Sequence, residues 1–303
     1  MRKTLKYRIF PNKPQERSLV VILEECRWAY NQLLEDRKTA YQARQETLSF
    51  FDQCKTLTGL KETKPSLKQV HSQVLQNVAV RLDLGMKAFF RRVKAGEKPG
   101  YPRFKGKGRY DSFTFPQAPS GCALVGDVLK ISKVGSIAVK LHRPFQGIPK
   151  TCTVKRTSTG KWYVSFSCDV EAPATLPFSL EATGIDVGLE SFATLSNGKS
   201  IANPRFFRTD QKELARAQRK LCKEEKGTPC RATKRRVVAR IHERIGFKRA
   251  NFTHQLAAKL VGLYGILCVE DLHVNRMLHN HCLAKSISDA AWSKFFDVLS
   301  FKA

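Results

Sequence analysis

The chain has 303 residues, 42% of them hydrophobic, which excludes a disordered polypeptide and allows two or three modest domains with real cores. Its 54 Lys and Arg outnumber 26 Asp and Glu, and a formal charge of +28 repels itself unless a polyanion neutralises it. Nucleic acid is therefore the expected partner, ahead of a membrane surface. No apolar run reaches the roughly 20 residues of a membrane-spanning helix; the longest, 257–269, contains Lys259.

The N-terminus, MRKTLKYRIF, lacks the apolar core and small-residue cleavage site of a signal peptide. Leu5, Tyr7 and Ile9 alternate with charged neighbours, which predicts a strand. In PNKPQE, Asn12 and Gln15 have capping-box spacing, and Pro14 suits the first helical turn. The helix that follows should bury Leu19, Leu23, Cys26, Tyr30 and Leu33. Residues 66–93 repeat this pattern through Val70, Val74, Val78, Leu82, Phe89 and Val93. Two or more helices between about 15 and 95 are expected to form a small bundle.

The character changes at Gly96. Short alternating runs follow, among them SIAVKLHR, TCTVKR and KWYVSFSCDV, with a turn at Thr157–Gly160. They predict a small antiparallel barrel that the first strand joins, so that residues 1–14 and 96–180 enclose residues 15–95 as a helical insertion. The Pro-rich stretch EAPATLPFSLEA reads as a linker to a last domain, 181–303. The fold class is thus multidomain α+β. Nine cysteines, an odd number, scattered with no C-x-x-C pair, point to reduced thiols in a cytosol and leave the usual zinc-ribbon spacing absent.

The last domain opens with GIDVGLESFATLSNGKS: two strands, an Asn197-Gly198 hairpin turn and a short third strand. A basic helical stretch, 206–246, is interrupted near Gly227-Thr228-Pro229. A further helix carries Phe252, Leu256, Leu260 and Val261, and a short buried strand, ILCVED, follows. This order is the opening of a ribonuclease-H-like fold, in which a right-handed crossover lays the fourth strand parallel to the first. Asp186 on the first strand and Glu270 at the end of the fourth then converge at one edge. Two nearby carboxylates either share a proton or bind a cation, and carboxylate-held magnesium suits phosphodiester cleavage. Taken singly, Asp186 reads more readily as an acceptor of hydrogen bonds from a neighbouring loop, and Glu270-Asp271 could cap a turn; the strand-hairpin-helix-strand order is what raises the pair above that. Actin-like ATPases share the D-x-G strand but want a small hydroxyl residue where Leu189 and Glu190 stand.

Cations dominate RKLCKEEKGTPCRATKRRVVARIHERIGFKR, where Lys234, Arg235, Arg236, Arg240 and Arg244 are candidate phosphate contacts. In GYPRFKGKGRY, Arg103 and Lys105 alternate with Tyr101, Phe104 and Tyr110, a pattern suited to stacking and backbone contact. His273, His279, His281 and Cys282 lack a sharp tetrahedral spacing for zinc.

Several ordered blocks now accumulate: YRIFPNKPQE with CRWAYNQLLEDR, HSQVLQNVAVRLD, and FFRRVKAGEKPGYPRFKGKGRYDSFTF. They continue with GIDVGLESFATLSNGKSIANPRFFR, KRRVVARIHERIGFKRANFTHQLAAKLV and VEDLHVNRMLHNHCLAKSISDAAWSKF. Together these resemble the TnpB family, also called OrfB, encoded by bacterial insertion sequences and related to the type V CRISPR effector nucleases. The resemblance implies an RNA-guided DNA endonuclease whose partners are a guide RNA and double-stranded target DNA, with no membrane. It implies a wedge-like barrel, a helical recognition lobe and a RuvC-type nuclease domain working with two Mg2+ ions. Asp186 falls on the family's first catalytic carboxylate and Glu270 on its second. Gln73 and Gln76 lie in a helix similar to one that contacts target DNA. The family continues past the position of Phe301–Ala303 into a zinc ribbon, which holds Zn2+, and a helix with a third catalytic aspartate; neither Asp289 nor Asp297 matches it. On that reading the RuvC-type domain is incomplete, its metal site weakened, and cleavage depends on the missing segment. The alternative is a cleavage-deficient RNA- and DNA-binding protein or a transposon remnant. No strand-transferring nucleophile is evident, so transposon maintenance in the bacterial cytoplasm, at the nucleoid, is the expected role.

Overall fold

A computed structural model describes residues 1–171 and 179–303. The centre of the expected linker, 172–178, lies outside the described residues. Contacts divide the chain into two units, Met1–Ala172 and Pro173–Ala303.

In the first unit, alternation produces strand β1 (Arg2–Phe10), with Leu5, Tyr7 and Ile9 buried. Helix α1 (Lys13–Arg44) starts at a capping box: Asn12 Oδ1 accepts from the Gln15 amide at 2.9 Å, and Gln15 Oε1 accepts from the Asn12 amide at 3.0 Å. Ser49 and Asp52 build the same device for α2 (Phe50–Thr63). The helix expected from residue 66 begins later. Pro65–Gln69 form a 3-10 turn, and α3 (Ser72–Lys94) starts only after His71, whose Nδ1 accepts from the Gln73 amide at 3.3 Å. Leu19, Leu23, Cys26, Tyr30 and Leu33 join Val74, Val78 and Leu82 in one core, whereas Val93 is exposed.

Six strands follow: β2 (Ser112–Phe115), β3 (Cys122–Val125), β4 (Val128–Ile131), β5 (Gly135–Lys140), β6 (Ile148–Arg156) and β7 (Trp162–Asp169). With β1 they form an antiparallel sheet in the order β2-β6-β7-β1-β5-β4-β3. Tyr7, Phe113, Phe115 and Phe166 are fully buried against it, each contributing about 2 kcal/mol by loss of apolar surface from water. The end strands β2 and β3 do not pair, so the sheet curls without closing as a ladder. Its ends still approach, since the Cys122 thiol of β3 reaches Cys152 of β6, the residue paired with Phe115 of β2.

In the second unit, β8 (Ala182–Val187), β9 (Ser191–Leu195) and β10 (Ser200–Ala202) form a meander. Its second turn uses Gly198 at φ +80, a conformation open to glycine, with the Leu195 amide donating to Lys199 O at 2.9 Å. Helices α4 (Phe206–Cys222) and α5 (Pro229–Leu263) lead to β11 (Ile266–Val269), and α6 (Val274–Met277), α7 (Ala284–Ala290) and α8 (Trp292–Lys302) complete the chain. The sheet order is β10-β9-β8-β11, with β11 parallel to β8. Ile185, Val187, Phe192 and Leu195 pack with Ala257 and Leu260 of α5 and Trp292, Phe295 and Leu299 of α8.

Two expectations need correction here. The basic helix does not stop at Gly246: α5 runs through it, held on one side by Ile241 and Ile245 against Leu214 and on the other by Ala257 and Leu260. A mid-helix glycine costs only about 1 kcal/mol, less than those contacts return. Strand β11 was expected to be buried. It is an edge strand, with Ile266 44% and Val269 46% exposed.

Candidate metal centre and nucleic-acid interface

The parallel register pairs Ile185 of β8 with Val269 of β11, and the next residues on the two chains are Asp186 and Glu270. Because Ile185 and Val187 face the core, the period of two turns Asp186 to the opposite face, where it is exposed beside its β9 partner Thr194. Glu270 is exposed where the chain leaves β11, and its carbonyl accepts from the Leu272 amide at 3.1 Å. Both carboxylates line one cavity of about 440 Å³ together with Gly184, Thr194, Ser196 and Cys268.

The sequence presents Asp186 as a charge among apolar residues that needs a partner to be tolerated. Its exposure removes that burial cost. Among the described residues neither Asp186 nor Glu270 has a side-chain hydrogen bond or an ion pair, so neither is consumed by a loop or a cap. Two carboxylates facing one cavity, with their oxygens uncommitted, are open to a bound cation. Magnesium is commonly held by one or two carboxylates, with water and substrate oxygens filling its octahedron, and this donor set fits it. No group of three or more His, Cys, Asp and Glu side chains gathers to hold a metal among the described residues. His281 and Cys282 merely touch, Nε2 to Sγ at 3.5 Å.

The α4–α5 hairpin carries the basic candidates. Thr228 caps α5, and Arg231 donates to the carbonyls of Leu221 and Glu224 at the end of α4, closing the turn. Arg235, Arg236 and Arg240 are exposed and Lys234 is half-buried; among the described residues none of the four pairs with a carboxylate. Arg244 differs. It donates to Asp210 at 3.2 Å and to Glu213, and Lys248 reaches the other oxygen of Asp210 at 3.2 Å. Its guanidinium therefore works in the contact between the two helices.

In the first unit, Gln76 is exposed on α3. Gln73 Nε2 donates to Gln117 at 2.9 Å, while Gln73 Oε1 is buried without a partner among the described residues. The segment with Arg103 and Lys105 is pinned to α1. Asn31 accepts from the Lys105 amide at 2.7 Å and donates to its carbonyl at 3.0 Å, and Gly108 N donates to Glu24 at 3.0 Å. Arg103 and Phe104 project outward. Tyr110, expected to alternate with them, is instead buried beneath Arg81 and beside Tyr30, and burial pushes its phenol well above the usual range.

One residue that the sequence does not single out organises the second unit. Arg205 precedes α4 at φ +46 and supplies no side-chain cap. Asp289 of α7 does so from a distance, accepting from the amides of Phe207 at 2.8 Å and Arg208 at 3.2 Å and from Arg249 at 2.7 Å. No local spacing marks it, because its partners lie on other helices.

Comparison with known proteins bears on this arrangement. The family profile OrfB of the IS605 type, described as "Probable transposase", matches residues 165–281, and a profile described as "Helix-turn-helix domain" matches residues 1–46. In the structure those first 46 residues are β1 and the single helix α1. A "Putative RNA-guided DNA endonuclease" of Streptomyces pristinaespiralis is 34% identical over 308 residues, covering 100% of this chain and 75% of the relative. A "Putative RNA-guided DNA endonuclease InsQ" of Escherichia coli K12 is 27% identical over 319 residues, covering 99% of this chain and 77% of the relative. A solved structure described as a CRISPR-Cas12f ternary complex aligns over 93% of this chain and 70% of its own, at 13% identity and a TM-score of 0.38, a likeness too loose to bear on this chain.

Proposed function

The chain belongs to the OrfB family of insertion-sequence proteins, whose relatives bear the name RNA-guided DNA endonuclease, and on that premise we propose that it is an RNA-guided DNA endonuclease whose nuclease centre is built on Asp186 and Glu270. Its partners are then a guide RNA and double-stranded target DNA. The strand order of the second unit supports a RuvC-type reading: three antiparallel strands, a helical crossover, then a strand parallel to the first. The first unit, a curled sheet with helices inserted after β1, serves as the wedge-like and recognition parts that hold RNA and DNA.

One observation carries the nuclease assignment. Asp186 and Glu270 stand at the matching position one step past the last paired residues of the parallel strands β8 and β11, exposed and, among the described residues, without side-chain partners. Each side chain offers oxygen donors to Mg2+, which when bound supplies Lewis-acid activation at a phosphodiester. The two strands fix the spacing of the carboxylates, and the cavity between Thr194, Ser196 and Glu270 admits a phosphate from solvent. Arg235, Arg236 and Arg240 supply the positive surface that draws the nucleic-acid backbone to this unit.

The test is Mn2+ binding to the full chain, followed by its paramagnetic resonance signal, alongside cleavage of matched DNA in the presence of guide RNA. Asp186→Asn and Glu270→Gln should each weaken Mn2+ binding at least about tenfold, a loss of roughly 1.4 kcal/mol. As exposed positions, they should change stability by no more than about 0.5 kcal/mol. Equal Mn2+ affinity in wild type and both variants would overturn the assignment, whatever the cleavage result.

A further inference from the structure

Between Tyr41 on α1 and Met86 on α3, an apolar cleft of about 450 Å³ opens on the first unit, completed by Leu48 and by Tyr101. Its aromatic lining is unusually accessible: Tyr41 is 56% exposed, Phe90 47% and Tyr101 40%. Phe89 anchors the group, edge-on to Phe90 with centroids 5.2 Å apart and to Tyr101 at 5.3 Å. Contiguous exposed aromatic surface of this kind usually marks a binding site.

The charges around the cleft select its occupant. Arg37 is committed to Gln53 at 2.7 Å and Asp83 at 3.1 Å, and Glu46 is neutralised by Arg44 at 2.9 Å. Lys38, which lies over the Phe104 ring at 5.1 Å, remains at the rim. Arg91, Arg92 and Lys94, the next cations along α3, are exposed and do not line the cleft. An apolar aromatic slot with an uncommitted lysine at its rim matches a flat π-ring attached to a phosphate.

The geometry points to a pocket for one unpaired nucleobase of a bound RNA, stacked among Tyr41, Phe90 and Tyr101 with its backbone phosphate at Lys38. This rests on the reading of the chain as a nucleic-acid-binding protein and deepens it. A helical duplex cannot insert a base into such a slot, whereas a single-stranded or bulged segment can. The cleft therefore distinguishes unpaired from paired RNA without reading sequence.

The probe is a short single-stranded RNA carrying 2-aminopurine, with a blunt RNA duplex of equal length as control, titrated into the full chain. Wild type should quench the 2-aminopurine on binding. The Tyr41→Ala/Phe90→Ala double variant should lose the quench and bind the single strand about tenfold more weakly, as expected when one base–aromatic stack is removed. Its affinity for the duplex and its thermal midpoint should not change. Tyr41→Trp/Phe90→Trp should restore the quench. If wild type and the alanine variant bind and quench alike, the pocket assignment falls while nucleic-acid binding stands. If wild type binds neither RNA, both fall. A cleft that takes up anilinonaphthalene sulfonate and retains it against excess single-stranded RNA also overturns the assignment, in favour of an apolar partner.

Discussion

The carboxylate of Asp289, only 4% exposed, holds Arg249 at 2.7 Å and at the same time caps the start of α4. One side chain thus ties α7, α5 and α4 together. Removing it leaves a guanidinium and two helix amides without their acceptor in a largely dry site. Asp289→Ala should lower the stability of the second unit by about 3 kcal/mol, the scale for breaking a buried pair. Asp289→Asn, which keeps an acceptor for the amides, should lose less. Urea unfolding monitored by circular dichroism measures both, and an alanine variant as stable as wild type would refute the role.

Gly265 governs the site from outside it. Its amide and that of Ile266 both donate to Glu181 O, at 3.0 and 3.2 Å, which sets β11 beside β8. A methyl group at Gly265 would run into the backbone of Ser179. Gly265→Ala should shift β11 along with Glu270, cost about 2 kcal/mol of stability as an overpacking change, and weaken Mn2+ binding although residue 265 offers no ligand. Unchanged Mn2+ affinity would show that the register is set elsewhere.

His71 makes the start of α3 sensitive to pH. Burial first, then the nearby charges of Lys133 and Lys61, hold its pKa below the ordinary 6.5. The unfolded chain therefore takes up this proton at a higher pH than the folded one. Stability from His71 is complete above pH 6.5 and is lost as pH falls through the folded value. Protonation also turns Nδ1 from acceptor to donor and removes the cap on the Gln73 amide. His71→Asn, a good cap without a titrating ring, should flatten the stability profile just below pH 6.5; an unaltered profile would exclude His71 as its source.

The basic face of α5 should separate by function. Removing Arg235, Arg236 or Arg240 singly should reduce the slope of log affinity against log salt by about one for each phosphate no longer neutralised. Arg244→Ala should instead loosen the α4–α5 packing, lowering the thermal midpoint while leaving the salt slope near that of wild type, because its charge is already matched by Asp210 and Glu213. Fluorescence anisotropy at several salt concentrations tells the two behaviours apart.

What was legible in the sequence was local. The Asn12–Gln15 capping box, the alternation from Trp162 to Cys168 and the Asn197-Gly198 turn each depend on neighbours a few residues away, and each appears in the structure. The placement of Asp186 and Glu270 near the same ends of neighbouring parallel strands also followed from element order, since a right-handed crossover leaves few alternatives. Burial was harder to read. Asp186 lies on the sheet face away from α5 and α8, and Tyr110 packs inward against residues on α1 and α3; neither outcome is visible without knowing which faces are covered. The role of Asp289 was hidden for the same reason, as was the continuity of α5 through Gly246.

The order of strands in the first unit has a consequence for how the protein is made. Strand β1 emerges from the ribosome ahead of its partners, yet Arg2 pairs with Asp169 and Arg8 with Lys140, so both of its edges wait for chain still to be translated. Helices α1 to α3 have near neighbours and can assemble in the interval. The ladders on both sides of β1 can therefore form only once β5 and β7 have been made, pairings between distant parts of the chain of the kind that slow folding.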